Sequence, residues 1–160
     1  MDIKILMANY LNKTHAKDIG ILLNEYAKDP MGGANELSDD IINNVASKLS
    51  KLPNSFTIIC YVDGKAAGLI NYFENFSTFK CKPLMSIHDI MVSNKFRGLG
   101  ISQMMLDKLE LEAKKRDCCK LTLEVLEYNN IAKNSYLKFG FDSYELDPAL
   151  GKAMFWEKIL

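Results

Sequence analysis

Between Ile87 and Leu109 the sequence passes from an apolar, strand-like run into a turn bearing Gly98 and Gly100, then directly into a pattern of helical period. This juncture restricts the fold more than any other stretch, because it demands a sheet with a helix leaving one of its strands. Glycine adopts backbone conformations closed to other residues and lets a ligand approach without Cβ obstruction. A turn of this kind aims several backbone N–H groups at one point, and the helix start adds positive potential. Together these form a site for a pyrophosphate. The same strand–glycine–helix turn also serves elsewhere as a plain connector. No Gly-Lys-Ser/Thr follows, so this is not a Walker A loop, and the spacing is not Gly-x-Gly-x-x-Gly, which disfavours a dinucleotide fold.

The surrounding elements follow with short joints. Ile3 to Met7 reads as a first strand. Thr14 is placed to cap a helix whose apolar stripe holds Ile19, Leu22, Leu23 and Tyr26. That helix should stop near Asp29-Pro30, and Pro30 to Gly33 forms a loop. Ser38, with Asp39 and Asp40 in the first turn, opens a second helix that buries Ile42, Val45, Ala46 and Leu49. Ser55–Val62 and Ala66–Phe73, joined by Asp63-Gly64, carry the signature of a tight hairpin. Leu84 to Val92 is a further strand, and a helix follows from about Leu99 to Lys115 with Ile101, Met105, Leu109 and Ala113 inward. Lys120 to Leu126 is a strand, Asn130 to Lys138 a short helix ended by Gly140, and Phe141–Leu146 and Ala153–Leu160 are expected as closing strands. The order β-α-α-β-β-β-α-β-α-β-β implies one α/β domain over residues 1–160, a sheet with helices on both faces.

Composition excludes several classes. Twenty Lys+Arg offset twenty Asp+Glu, so no basic excess points to nucleic acid. The four cysteines, Cys60, Cys81, Cys118 and Cys119, contain no Cys-x-x-Cys pair, and the only histidines are His15 and His88. No metal site is expected from that inventory. Reduced thiols suit a cytoplasmic protein. MDIKILMANYLNKTH lacks an apolar core long enough for a signal peptide. No run approaches the roughly 18 apolar residues that a membrane span requires.

Arg97-Gly98-Leu99-Gly100-Ile101-Ser102 resembles the Arg/Gln-x-x-Gly-x-Gly/Ala pyrophosphate motif of the GNAT superfamily of N-acetyltransferases, with Ser102 in place of the final Gly or Ala. A second block, Asn130-Ile131-Ala132 to Tyr136 followed by Phe139-Gly140-Phe141, is similar to that superfamily's Asn-x-Ala-x-x-x-Tyr…Gly-Phe segment. The two lie roughly thirty residues apart in the expected order. The resemblance implies a GNAT-like, mixed and mostly antiparallel sheet flanked by helices, with acetyl-CoA as cosubstrate. It implies that the segment Ile90, Met91, Val92 and Arg97 to Ser102 (Arg97, Gly98, Leu99, Gly100, Ile101, Ser102) holds the cofactor, with Ile90 and Val92 pairing with the pantetheine arm through their backbone. Asn130 would touch that arm, or would only cap its helix.

The resemblance also implies direct attack of an amine on the thioester, with Tyr136 as general acid; a core tyrosine would look the same in sequence. His88 falls where polyamine acetyltransferases carry a catalytic Glu, and an imidazole accepts a proton near neutral pH. Asp89 and Glu124 are rivals for the base. Strand alternation sets His88 and Asp89 on opposite faces. The expected acceptor is a primary amine of a small molecule such as a polyamine, amino acid or aminoglycoside-like compound. Protein lysine or N-terminal acetylation, or a non-catalytic acyl-CoA sensor, stand as alternatives. Many members of the superfamily form homodimers, and Met154 to Ile159 offers aromatics for such an interface or for closing the core.

Overall fold

The computed structural model describes residues 1–160. Five strands, β1 (Ile3–Met7), β2 (Ser55–Val62), β3 (Lys65–Ser77), β4 (Lys82–Val92) and β5 (Leu121–Leu123), form one sheet in sequence order. The first four pair antiparallel and β5 runs parallel to β4. Helices α1 (Lys13–Lys28) and α2 (Asp39–Leu49) precede β2, α3 (Ile101–Lys115) follows β4, and α4 (Asn130–Phe139) follows β5. The fold is the expected mixed, mostly antiparallel sheet with helices on both faces.

Strand alternation divides the core in two. Ile58, Cys60, Ile70, Tyr72, Met85 and Ile87 face α3, where Ile101, Met105, Leu106 and Leu109 cover them. Ile59, Tyr61, Leu69 and Met91 face α1 and α2, against Ile19, Leu22 and Ala46. Each fully buried aliphatic side chain of this kind contributes about 2 kcal/mol. Gly20 lets α1 and α2 touch, since a Cβ there would lie 2.1 Å from the Ile42 carbonyl oxygen.

Several expectations need correction. The cap of α1 is Asn12, whose side chain accepts from Thr14 and His15 N–H, and Thr14 lies inside the helix. Helix α3 starts at Ile101, because Gly98 and Gly100 hold left-handed φ values. The strand expected from Lys120 to Leu126 pairs only at Leu121–Leu123. Phe141–Leu146 and Ala153–Leu160 form no strand. Neither segment pairs with the free outer edge of β5, and Met154, Phe155, Trp156, Ile159 and Leu160 stay exposed. Beside β5 a groove of about 300 Å³ remains, lined in part by Ala113, Cys118, Leu121, Phe139 and Phe141.

Candidate active site

The turn after β4 leaves its backbone donors free. From Arg97 through Gln103 no main-chain N–H donates to any acceptor in the protein; the next, Met104, bonds the Gly100 carbonyl at 3.1 Å. Gly100 occupies the N-cap of α3 and supplies no side chain to satisfy that first turn. Gly98 and Gly100 adopt φ of 81° and 75°, and a Cβ at either would meet no atom within 4 Å. Unsatisfied donors, an open cradle and the positive end of a 15-residue helix together fit an anionic group such as a pyrophosphate.

The adjoining edge of β4 is open as well. Its pairing with β5 ends at Ile87. Ser93 N–H bonds the Ala67 carbonyl at 2.8 Å, and Met91 and Asp89 lie opposite Leu69 and Asn71 in the same register. Alternation therefore turns the backbone groups of Ile90 and Val92 away from β3, toward the gap where β4 and β5 diverge. Those are the groups an extended, amide-bearing ligand would meet, although the Val92 carbonyl already accepts from Arg97 Nε at 3.3 Å. Met91 does not belong with them: its backbone faces β3 and its side chain is buried beneath α1.

Arg97 points elsewhere than its place in the motif suggests. Its Nε donates to the Val92 carbonyl at 3.3 Å and its Nη2 to Asp29 Oδ2 at 3.0 Å. The Met31 N–H first, and then this guanidinium, hold the Asp29 carboxyl below the usual carboxylate range. Nearby, the Asn94 N–H donates to Glu25 at 3.0 Å. The end of α1 and the loop after it are thus tied to the glycine turn at two points.

On β4 the structure overturns the opposite-face expectation for His88 and Asp89. Asn71 pairs with Asp89 and Tyr72 with Ile87, so His88 is an extra residue in a β-bulge. The bulge brings both side chains together: His88 Nδ1 lies 3.3 Å from Asp89 Oδ1. The imidazole is largely exposed, at 72%, and the carboxylate mostly covered, at 20%. Phe73 meets the imidazole edge-on at 5.9 Å, and Asn71 Nδ2 donates to Asp89 Oδ2 at 3.0 Å. A carboxylate can only accept, so the imidazole donates through Nδ1–H, and in the neutral ring Nε2 then carries the free lone pair.

Tyr136 packs its ring on the α3-side core, edge to face with Phe141 at 6.0 Å. Its hydroxyl makes no hydrogen bond in the protein. Burial, and then the neighbouring Tyr26, push this phenol up to about 12. Tyr26 itself is raised by burial, then by the carboxylates of Asp89 and Asp29. In sequence Tyr26 reads only as part of an apolar stripe; a phenol at the C-terminal end of that stripe, next to the Pro30-Met31-Gly32-Gly33 loop, was the available signal.

The remaining candidates lie apart. Glu124 falls just beyond β5, exposed, and bonds to none of these residues. Asn130 is exposed in the first turn of α4, whose cap is Asn129 through its bond from Ala132 N–H. The Ser102 hydroxyl meets Ser135 of α4 at 3.3 Å, and Gln103 Nε2 bonds the Ser135 carbonyl at 2.9 Å. The small residue at position 102 thus joins α3 to α4 while leaving its N–H free. No group of three or more His, Cys, Asp or Glu side chains is arranged to hold a metal ion.

Residues 21–141 match the acetyltransferase (GNAT) family, and the chain belongs to it. An uncharacterized N-acetyltransferase of Methanocaldococcus jannaschii is 33% identical over 89 residues, 55% of this chain; the chain spans 39% of that relative's length. Among solved structures, a probable acetyltransferase superimposes with a TM-score of 0.82 at 16% identity over 98% of both chains. AAC(6')-Iy, in complex with the bisubstrate analogue CoA-S-monomethyl-acetylneamine, gives 0.78 at 17% identity over 100% of both chains. An integron cassette protein from the mobile metagenome of V. cholerae gives 0.80 at 20% identity, over 99% of this chain and 94% of that one. At these identities the likeness is one of fold.

Proposed function

We propose that this protein transfers the acetyl group of acetyl-CoA to a primary amine of a small molecule. The observation that carries this reading is the run of unpaired N–H groups from Arg97 to Gln103, continuous with the open backbone edge at Ile90 and Val92. Acetyl-CoA would supply an activated thioester; its phosphates would take the N–H cradle and its arm the strand edge. AAC(6')-Iy, seen with an acceptor joined to CoA, supports a small-molecule acceptor.

The chain's own groups divide the remaining work. Asp89 and Asp29, both partly covered, draw a cationic amine toward the end of α1. His88, with Nε2 unprotonated, accepts the proton that the amine nitrogen loses as its lone pair forms the N–C bond and the C–S bond breaks. Its exposure passes that proton to water. Tyr136 keeps its proton until charge develops on the sulfur, then donates it there and recovers one from solvent. Free backbone N–H groups offer hydrogen bonds to the developing oxyanion. Placement of the two reactants supplies much of the acceleration.

The exposed Met154, Phe155, Trp156 and Ile159, and the open groove beside β5, support association of two copies. Four free thiols suit a reducing, cytoplasmic compartment.

Calorimetric titration with acetyl-CoA, followed by a thiol-release assay over a panel of polyamines, amino acids and aminoglycosides, tests the reading. Binding with amine-dependent thiol release is expected. Absence of binding overturns the site, and binding without release from any small amine overturns the acceptor class.

A further inference from the structure

Building on the role just given to His88, we infer that Tyr10, Thr57 and Asn71 form a positioning chain that fixes Asp89, and through it the tautomer of His88. Three of these residues lie in one row across the sheet. Thr57 of β2 pairs with Asn71 of β3, and Asn71 pairs with Asp89 of β4. The row ends at Tyr10, in the turn between β1 and α1.

The direction of every hydrogen bond in this row follows from its carboxylate end. Asp89 has no proton to give, so the Asn71 amide donates through Nδ2, at 3.0 Å. That choice aims Asn71 Oδ1 the other way, where it needs a donor. Thr57 Oγ1 lies 2.6 Å from it and supplies its one hydrogen. The hydroxyl of Thr57 is then left only as an acceptor, so the Tyr10 hydroxyl, 3.0 Å away, must donate to it. Three donors point in series toward one carboxylate. Such aligned chains polarise one another in a low-dielectric interior. Thr57 is 1% and Asn71 4% exposed, on the same face as the buried Ile59 and Leu69, where apolar side chains would pack without demanding partners.

The consequence falls on the second oxygen of Asp89. With Oδ2 held by Asn71, Oδ1 receives His88 Nδ1–H at 3.3 Å, and Nε2 is left as the proton acceptor. An unconstrained neutral histidine prefers the opposite tautomer, with hydrogen on Nε2. The chain contains its own reference: the Asn9 N–H donates to Nδ1 of His15 at 3.0 Å, so His15 carries its hydrogen on Nε2. The two histidines of the molecule are held in opposite tautomers.

The test reads ring ¹⁵N shifts in the labelled full-length protein without acetyl-CoA, at a pH where both imidazoles are neutral, alongside steady-state kinetics. Wild type and Thr57→Ser should show His88 with hydrogen on Nδ1. Thr57→Val, nearly isosteric, and Asn71→Leu should move His88 toward the Nε2–H form while His15 stays unchanged. In the same two variants kcat should fall about 10- to 100-fold, with acetyl-CoA affinity unaltered and Thr57→Ser close to wild type. An identical His88 tautomer in wild type and Thr57→Val overturns the chain. So does a folded Thr57→Val with wild-type kcat. If the wild type acetylates no amine, the proposed function fails, and the NMR comparison still decides the positioning chain.

Discussion

Replacing Gly100 with alanine separates the glycine turn as a ligand cradle from the same turn as a connector. At φ of 75° an added Cβ meets no protein atom within 4 Å, so the substitution brings no clash. Its cost is conformational, about 1–2 kcal/mol for an L-residue held in the left-handed region. For a domain of this size that lowers Tm by roughly 2–8 °C. Gly64, in the hairpin turn between β2 and β3, has φ of 76° and an equally open Cβ direction. Gly64→Ala should therefore cost a comparable amount, far from the site. The two variants part on ligand binding. Relaxing the strain at Gly100 rotates the peptides on either side and turns the Gly100 and Ile101 N–H groups away from a bound phosphate. Losing one hydrogen bond to a charged group costs about 1.5–3 kcal/mol, which is roughly 10- to 150-fold in affinity. Calorimetry with acetyl-CoA should show that loss in Gly100→Ala and none in Gly64→Ala, while far-UV CD melts fall together. Equal affinity in both variants would refute the cradle.

Three further perturbations follow from the site. His88→Gln removes the proposed proton acceptor, so kcat should drop about 10²- to 10⁴-fold with acetyl-CoA affinity unchanged, followed by steady-state kinetics and calorimetry. Asp29→Asn keeps an acceptor for the Met31 N–H but releases Arg97; acetyl-CoA affinity by calorimetry should rise up to about fivefold, the worth of an exposed ion pair, whereas Arg97→Glu should lower it strongly. Tyr136→Phe should lower kcat without changing acetyl-CoA affinity. The Tyr136 phenol also bears on stability. It is raised from 10.0 to about 12 on folding, so its contribution is full below pH 10 and is lost as pH rises toward 12. Denaturation followed by CD should show a shallower loss over that window in Tyr136→Phe, with the raised phenols of Tyr61 and Tyr72 retaining part of it.

The elements were legible where local chemistry dictates them. Asp63-Gly64 between two β-branched runs fixed the hairpin, Ser38 marked α2, and Gly140 ended α4, because turns and caps depend on a few adjacent residues. The glycine turn was legible for the same reason. Features set by pairing across the sheet were not. Alternation along β4 misplaces His88 relative to Asp89, since a bulge is a property of two strands in register and Ile87-His88-Asp89 looks regular alone. Asn71 and Thr57 sit in strongly apolar strands, and their partners are distant in sequence. Phe141–Leu146 and Ala153–Leu160 have strand-like composition, but neither pairs with the free outer edge of β5, which is only three residues long.

The unpaired C-terminal stretch has a spectroscopic consequence. It carries Trp156, the only tryptophan in the chain, 80% exposed. Emission excited selectively in the indole band therefore reports on this stretch and hardly on the two cores. In the isolated chain it should begin red-shifted and change little as the sheet melts. A blue shift that grows with protein concentration would mark the moment when something apolar covers the indole, in a signal separate from both folding and turnover.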